Sequence, residues 1–497
     1  MDKKLRRQQN IKQMIVDLES ALQNDNQNEE IQKLKDNHKM WLQKVQDLII
    51  SEKYDLAEQM FYGVLLQENG QVNTYWLATE SAIMDLMFKI HKKEQSSGYS
   101  SIFKQFQSLD GIVDFYYDLK FLVRRFEYDF SDELKEELLP FITRFSLSEF
   151  ALAEMVRASA LKPEKVYNEL AIFLMQHELY DYVIPLLAEA YSLNPSGKET
   201  LFNLSYILYC LGEVDLAKEY MNQIKEETER NILERMINVE CKPLDYQEIY
   251  TMQWGQDVQE QELVTPEKTE KIAFIICANK EKFLRECRLY IEMLNVPKGY
   301  EIEIIPIHGA KSITEGYQKG MKSSDARYKI YLHQDAMCIH KNMLYEAIRI
   351  FQSDSQIGLI GVAGCIEMPE TGIWWEADME TSYYNLAQDS VASCGCDNYN
   401  RSSKIYGCGD YQYVTGLDGV FLMTAYDLDW REDLFDGWHI YDVSQTMEFV
   451  RHGYKVVVPK MDQLWIMHCE KYQTHLEREY HVARLQYLKE YYNELVE

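Results

Sequence analysis

Apolar residues recur three or four positions apart through the first half of the chain, a spacing that puts them on one face of an α-helix. Residues 1–37 have few such positions, so the sequence predicts a polar N-terminal helix that is either solvated or part of an oligomer contact. Farther along, the pattern around Asp181 returns at Asp215, 34 residues later. The apolar or small positions of the pattern are Tyr167, Leu170, Ala171, Leu174, Val183, Leu187, Ala190 and Pro195 in the first copy and Leu201, Leu204, Ser205, Leu208, Ala217, Met221 and Ile224 in the second.

Two apolar stripes separated by a short turn form a helix hairpin, in which small residues allow the two helices to approach closely. The 34-residue pattern resembles tetratricopeptide repeats and predicts an all-α helical-repeat domain over residues 38–230. Degenerate copies begin near Trp41 and Ala151, whereas residues 70–130 fit no repeat. Such a stack either offers a concave surface to a peptide or protein, or serves only as a packing scaffold. The sequence leaves both readings open.

The pattern changes in the second half of the chain. Residues 231–267 are polar, contain two prolines and are predicted to be a linker. From residue 268 to 497, apolar runs alternate with helical segments, which predicts an α/β domain with a parallel sheet covered on both faces and a C-terminal helix. Because ligands bind at the carboxyl ends of such strands, the candidate site residues follow the strands, at 277–281, 308–309 and 333–335.

Composition and charge narrow the range of functions. The chain has 497 residues, 46% hydrophobic and 27% charged, so it can bury sizeable cores. Its net charge of −28 disfavours nucleic acids and anionic membrane surfaces as partners. The N-terminus lacks the apolar core of a secretory signal, and no apolar run is long enough to span a bilayer, so we expect a cytoplasmic protein without a membrane span.

Cysteine spacing points to no known zinc or redox motif. The chain has ten cysteines but no CxxC pair. Cys394, Cys396 and Cys408 form one cluster, which is either a metal site or a set of reduced thiols in a loop.

The predicted strand ends also lack the common phosphate-binding loops. No GxGxxG follows the first strand, and no GxxxxGK[ST] occurs. Phosphates bound by this acidic chain would need another counter-charge. Asp335 follows the third apolar strand and can hold a divalent cation, which bridges phosphate oxygens well.

Four blocks carry a resemblance to a known family. They are "IAFIICANKE", "SSDARYKIYLHQDA", "VTGLDGVFLMT" and "LFDGWHIYDVSQTMEFVRHGYKVVVPKMDQLWIMH". In order and spacing, residues 271 to about 468 resemble family 2 glycosyltransferases of the GT-A fold. The likeness is greatest to a bacterial branch that carries HQD in place of the usual DxD. The resemblance implies a multidomain protein in which a GT-A domain, Rossmann-like in architecture, follows the tetratricopeptide-like helices.

The resemblance also implies the roles of individual residues. Asp335 matches the last carboxylate of DxD and is expected to bind the metal, Mn²⁺ or Mg²⁺, with His468 as a further ligand. His333 departs from the first Asp of DxD, and His308 replaces an acid that contacts the base in many relatives. The residues expected to bind the nucleotide sugar are Cys277, Asn279, Glu281, Lys311, His333, Gln334, Asp335, Asp418 and Trp375.

Asp442 is the expected general base. It occupies the second position of the family's ED motif, where Tyr441 replaces the Glu, although an Asp at a helix start is also a common cap. Trp374 and Trp375 form either a sugar platform or a cover for the core. The loop from Cys394 to Tyr411 is either a mobile lid or an ordinary surface loop.

The first functional reading is a metal-dependent inverting glycosyltransferase of the hexosyltransferase type. It would move a sugar from a nucleotide diphosphate sugar, with UDP favoured by analogy, to a protein or glycan recruited by the helical repeats. A homo-oligomer is compatible with this reading. The alternative is a non-catalytic repeat scaffold with a transferase-like nucleotide-binding domain. A metallohydrolase has weak support, since HExxH is absent.

Overall fold

The computed structural model describes residues 3–23, 26–66, 76, 79–127, 132–225, 227–239, 263–377, 382–384, 386–388, 411–459, 465–468 and 478–496. The chain divides into two compact units. Residues 38–257 make up most of the first, a helical unit. Residues 1–37 and the chain from 258 onward make up most of the second, which we call the α/β unit.

Amphipathic spacing produces helices throughout the N-terminal half, as predicted. Their bounds are α1 Lys3–Gln23, α2 Asn26–Ile50, α3 Tyr54–Leu65, α4 Thr79–Ser96, α5 Leu109–Arg125, α6 Asp132–Arg144, α7 Glu149–Ser159, α8 Pro163–Gln176, α9 Tyr180–Leu193, α10 Lys198–Cys210, α11 Val214–Met221 and α12 Glu227–Val239. The segment predicted to be a linker therefore begins inside α12.

The repeated pattern corresponds to two helix hairpins that pack in sequence, α8 with α9 and α10 with α11. Asp181 and Asp215 both lie in the first turns of the second helices, α9 and α11. The small residue Ser205 is buried and donates a hydrogen bond to the carbonyl oxygen of Ala217 at 2.8 Å, across the second hairpin. The helical class of this unit is confirmed, while its assignment to tetratricopeptide repeats stays a prediction.

The α/β unit contains a seven-stranded sheet in the order β2-β1-β3-β11-β5-β12-β9 and two three-stranded sheets, β10-β6-β7 and β4-β13-β8. The strands are β1 Glu270–Ala278, β2 Tyr300–His308, β3 Tyr328–His333, β4 Ala336–Cys338, β5 Ile357–Gly361, β6 Ala363–Cys365, β7 Ser382–Tyr384, β8 Leu386–Gln388, β9 Tyr411–Tyr413, β10 Gly416–Leu417, β11 Phe421–Thr424, β12 Lys455–Pro459 and β13 Ile466–His468. The helices are α13 Glu281–Glu292, α14 Ile313–Lys322, α15 Met343–Ser353, α16 Tyr441–Arg451, α17 Arg478–Glu490 and α18 Tyr492–Val496.

The main sheet is mixed, whereas the sequence predicted a parallel one. Strands β2, β1 and β3 are parallel to one another, and β12 is parallel to β5. Strand β11 lies antiparallel between β3 and β5, and β9 pairs antiparallel with β12. A buried strand such as β11 is apolar in either direction, so its sequence does not indicate which way it runs. The carboxyl ends of β1 and β3 still meet at one edge, as predicted.

Helix α1 packs on the α/β unit, against α17 and α18. Its buried residues Ile11 and Leu18 join a hydrophobic cluster that includes Tyr487 and Leu488. The Arg7 guanidinium also forms an ion pair with Glu367 at 2.9 Å. The buried apolar residues of the N-terminal helix therefore belong to the same cluster as this chain's own C-terminal helices. Among the described residues, no helix is both long and apolar enough to cross a membrane.

Candidate active site

A cleft of about 640 Å³ opens at the carboxyl edge of β1 and β3 in the α/β unit. Parallel pairing places Cys277 beside His333 at this edge, so the two strand ends form adjacent parts of the wall. Nine of the eleven predicted site residues line the cleft: Cys277, Asn279, His333, Gln334, Asp335, Trp375, Asp418, Asp442 and His468.

His333, Asp335 and His468 form one compact cluster. Strand β3 ends at His333, and the next strand, β4, pairs antiparallel with β13 so that His468 lies opposite Ala336. This register brings His468 Nε2 to 3.4 Å from Asp335 Oδ1 and to 3.4 Å from His333 Nδ1. One ligand atom from each of the three residues lies within 4.8 Å of the others. The arrangement can hold a metal ion.

Electrostatics favour the metal-binding forms of this cluster. Burial opposes ionisation of Asp335, but the neighbouring His468 and His333 outweigh it and hold the pKa of the carboxyl below its usual range. Burial, with the nearby His468, lowers the pKa of His333 and so favours its neutral imidazole. An ionised carboxylate and a neutral imidazole are the forms that bind a cation. The donor set therefore fits a divalent metal.

Gln334 is oriented by the turn after β1. Its Oε1 accepts hydrogen bonds from the backbone N–H groups of Asn279 and Lys280, both at 2.9 Å. Its Nε2 donates to Asn279 Oδ1 at 2.7 Å. Gln334, the middle residue of HQD, therefore links the end of β3 to the turn after β1 by hydrogen bonds. Gln334 and Asn279 both line the cleft.

Asp442 lies in the first turn of α16 and faces the cleft. Its Oδ2 accepts a hydrogen bond from the Gly419 backbone N–H at 3.0 Å, and its Oδ1 accepts one from Val443 at 2.9 Å. Burial raises the pKa of Asp442 to about 7, and the charge of Asp418 adds to that increase. Since a general base works best with a pKa near the working pH, this carboxylate has suitable proton affinity.

The backbone before Asp442 has an unusual conformation. Ile440 has a left-handed conformation with φ 64°, which is rare for a β-branched residue. The next residue, Tyr441, places its hydroxyl 2.5 Å from His333 Nε2. A Cβ atom at Gly419 would lie 2.2 Å from that hydroxyl, so this position requires glycine. Tyr441, which replaces the Glu of the ED motif, therefore contacts the HQD residues directly.

Aromatic side chains form one side of the cleft. Trp375 and Trp438 are 36% and 48% exposed, whereas Trp374 is buried and meets Trp375 edge-on at 5.8 Å between ring centroids. Tyr480 of α17 lies 6.2 Å from the Trp375 ring. Both readings of the tryptophan pair thus apply: Trp374 covers the core, while Trp375 offers a partly exposed ring to the cleft.

Residues 273–491, somewhat less than half of the chain, match the model of a family described as glycosyltransferase like family. Most of the matched residues lie in the α/β unit. At the level of the family, this match confirms the predictions of a transferase and of a GT-A type of α/β domain after the helical region. The HQD branch and the repeat assignment stay predictions.

One solved structure similar to this chain is the mannosyltransferase PcManGT from Pyrobaculum calidifontis, in complex with GDP-Man and Mn²⁺. Sequence identity is 10% and the TM-score is 0.27. The similarity covers 42% of this chain and 59% of that chain, so this chain spans less than two thirds of the length of that structure. No curated protein is similar enough to this chain to count as a match.

Two predicted residues do not line the cleft of the glycosyltransferase-like unit. Glu281 begins α13 and is exposed, and Lys311 is exposed with its backbone N–H bonded to Glu315. Their roles in nucleotide binding stay predictions. Cys394, Cys396 and Cys408 lie outside the described residues, as does the predicted lid apart from Tyr411.

Sequence reasoning did not select several residues that line the cleft. Tyr317, Gly419, Trp438 and Tyr480 belong to this group. Trp438 lies in the same quoted block as Asp442, so that block could have indicated Trp438 as a site residue. Tyr317 and Tyr480 lie in amphipathic helices, where an aromatic residue normally indicates core packing.

Proposed function

We propose that this chain is a metal-dependent, inverting glycosyltransferase that uses a nucleotide diphosphate sugar. One observation carries the proposal. A base of raised pKa, Asp442, and a candidate metal cluster, His333, Asp335 and His468, line the same cleft of a unit that matches a glycosyltransferase-like family. An inverting transfer needs both a base for the acceptor and stabilisation of the departing diphosphate.

The donor would bind with its diphosphate at the cluster. When bound, a dication supplies positive charge that stabilises the leaving diphosphate in an otherwise acidic chain. Asp335 and the two histidines would hold that ion. Asn279 and Gln334, joined by hydrogen bonds, provide the floor on the nucleoside side of the cleft. We take UDP as the first nucleotide to test.

Asp442 would act on the acceptor. Each of its carboxylate oxygens accepts one backbone hydrogen bond, which fixes its orientation and leaves further acceptor capacity. The acceptor hydroxyl oxygen forms a bond to the anomeric carbon as the bond from that carbon to the diphosphate oxygen breaks. The hydroxyl proton passes to Asp442. Attack from the face opposite the leaving group inverts the configuration at the anomeric carbon.

The acceptor is a protein or glycan in this proposal, and the helical unit recruits it or a partner. Support comes from the aromatic side of the cleft. The exposed faces of Trp375 and Trp438 suit the apolar faces of a sugar ring.

A panel of nucleotide sugars incubated with the full chain, with and without Mn²⁺ or Mg²⁺, tests the proposal. We expect metal-dependent release of nucleoside diphosphate from one donor and a thermal shift with that diphosphate plus metal, both lost in Asp335→Ala. No release from any donor, together with no thermal shift by any nucleoside diphosphate, would contradict the proposal and favour the non-catalytic scaffold.

A further inference from the structure

His333 is held from both sides of its ring. Nε2 lies 2.5 Å from the Tyr441 hydroxyl, and Nδ1 lies 3.4 Å from His468 Nε2. Both His333 and Tyr441 line the cleft, yet the Tyr441 ring is buried and its hydroxyl lies against Gly419. This packing fixes which nitrogen of His333 faces the metal cluster.

The two nitrogens of a neutral imidazole have different roles. One carries the proton and donates a hydrogen bond, while the other has the lone pair that can bind a metal. If Nε2 carries the proton, it donates to the Tyr441 oxygen and leaves the Nδ1 lone pair directed toward His468 and Asp335. An outer partner of this kind orients metal-binding histidines and fixes their tautomer.

We propose that Tyr441 is a positioning residue that makes His333 Nδ1 a third metal ligand beside Asp335 and His468. The ligand set is then two imidazole nitrogens and one carboxylate oxygen, and the Tyr441 hydroxyl is the outer partner of one of the two imidazoles.

The distances fit this ligand set. Two adjacent ligands of an octahedral ion, each about 2.1–2.2 Å from the metal, lie roughly 3 Å apart. His468 Nε2 lies 3.4 Å from each of the other two ligand atoms, so only a small contraction is needed on binding. The inference rests on the metal site of the proposed function but not on sugar transfer, because it is tested by metal binding without nucleotide.

Metal affinity is measured on the full chain by titrating Mn²⁺ and following the free ion by electron paramagnetic resonance, with Mg²⁺ as competitor. His333→Asp, which removes this imidazole, should leave one histidine nitrogen on the bound ion. Wild-type protein that binds Mn²⁺ through only one histidine nitrogen would overturn the proposal.

Tyr441→Phe tests the positioning role. It removes the hydroxyl with little change of shape and should lower Mn²⁺ affinity by about 10–100-fold, the usual cost of losing an outer partner of a metal ligand. Pulsed electron paramagnetic resonance of bound Mn²⁺ should show couplings to two histidine nitrogens in the wild type and one in Tyr441→Phe and His333→Asp.

Tyr317→Phe is the matched control. Tyr317 is also a buried tyrosine lining the cleft, but its hydroxyl has no hydrogen-bond partner among the described residues. Its loss should leave Mn²⁺ affinity and the nitrogen couplings unchanged. Thermal melts of all variants identify any that fail to fold. If Tyr441→Phe folds and keeps both the wild-type Mn²⁺ affinity and two couplings, the positioning role is wrong.

Discussion

The structure separates two roles of Asp442 that residue type alone left open. The N-cap of α16 is Ile440, and Asp442 accepts hydrogen bonds from the backbone N–H of Val443 and from that of Gly419 on a separate loop. Its raised pKa arises mainly from burial and secondarily from Asp418. A capping residue at the protein surface would have neither influence. The surroundings of Asp442 therefore support the base assignment beyond what its position in the helix indicates.

Asp442→Asn should lower turnover by at least about 100-fold, because the amide cannot take the acceptor proton. In the wild type, kcat/KM should rise as pH increases through about 7, where the carboxyl loses its proton. Asp436→Asn, the same change at an exposed residue outside the cleft lining, is the control and should leave both quantities unaltered. Wild-type turnover by a folded Asp442→Asn protein would remove Asp442 as the base.

The same substitution should also change how stability depends on pH. The folded-state pKa of Asp442, about 7, exceeds the ordinary value of 3.8, so the folded protein binds this proton more tightly than the unfolded chain. The stability of the wild type therefore falls as pH rises from about 4 to 7, and Asp442→Asn lacks this contribution. The Asn side chain has one acceptor oxygen, so it loses one of the two backbone hydrogen bonds at every pH. The melting temperature of the wild type, measured relative to that of Asp442→Asn, should fall between about pH 4 and pH 8. A difference that stays constant over this range would contradict the account.

At the scale of elements, helix α14 lies very close to strand β1. A Cβ atom at Gly316 would lie 2.3 Å from Cys277 Sγ, and one at Gly320 would lie 2.3 Å from Ile275 Cγ2. Glycine normally weakens a helix relative to alanine. Here it is needed because the sheet leaves no room for a side chain. The close contact helps to place Cys277 in the wall of the cleft.

Gly320→Ala should therefore destabilise the α/β unit by about 1–3 kcal/mol through overpacking, against its usual helix preference. Gly63→Ala in α3 is the matched control, since no atom lies within 4 Å of a Cβ built there. That change should stabilise the protein by about 0.4–1 kcal/mol. Urea unfolding of both variants measures the difference. Equal effects of the two substitutions would show that α14 can move away from β1.

Element boundaries were largely readable from the sequence. The strand ends predicted near residues 277–281, 308–309 and 333–335 correspond to the ends of β1, β2 and β3, because apolar runs and their polar ends are local features. Strand direction was not readable for β11, whose side chains are buried on both faces. The position of His468 also depended on pairing, since only the register of β13 with β4 brings it to Asp335.

At the scale of the whole molecule, the N-terminal helix α1 belongs to the same unit as the C-terminal helices. The sequence predicted a solvated helix or an oligomer contact, because α1 has so few apolar residues. Several of them share one face, where Ile11 is fully buried and Met14 and Ile15 pack beside it, while Val16 is exposed. The ion pair between Arg7 and Glu367 adds a polar interaction between α1 and the rest of the α/β unit. Whether the chain also forms oligomers stays a prediction.

Ile11→Ala should lower the free energy of unfolding of the α/β unit by about 2–5 kcal/mol, as for other buried large-to-small changes. Val16→Ala, on the exposed face of the same helix, is the control and should change it by no more than about 0.5 kcal/mol. Val16 is 55% exposed. Thermal and urea unfolding of the full chain give the comparison. An Ile11→Ala effect as small as that of Val16→Ala would mean that α1 adds nothing to the stability of this unit.

The sequence by itself determined the two fold classes, the approximate elements and most of the cleft. Helical spacing, strand spacing and the polar residues that follow an apolar strand are all local properties of the chain. The quoted blocks, compared with a family, added Asp442 and His468 as candidates that no local pattern would distinguish.

Only the tertiary structure decided how these residues act together. His333 and His468 are 135 positions apart, and His333 and Tyr441 are 108 apart, so their contacts depend on strand register and on the turn before α16. The proton affinity of Asp442 likewise depends on its burial and on the nearby Asp418. Distances between remote residues and the local dielectric arise from packing, which no spacing of residue types along a chain specifies.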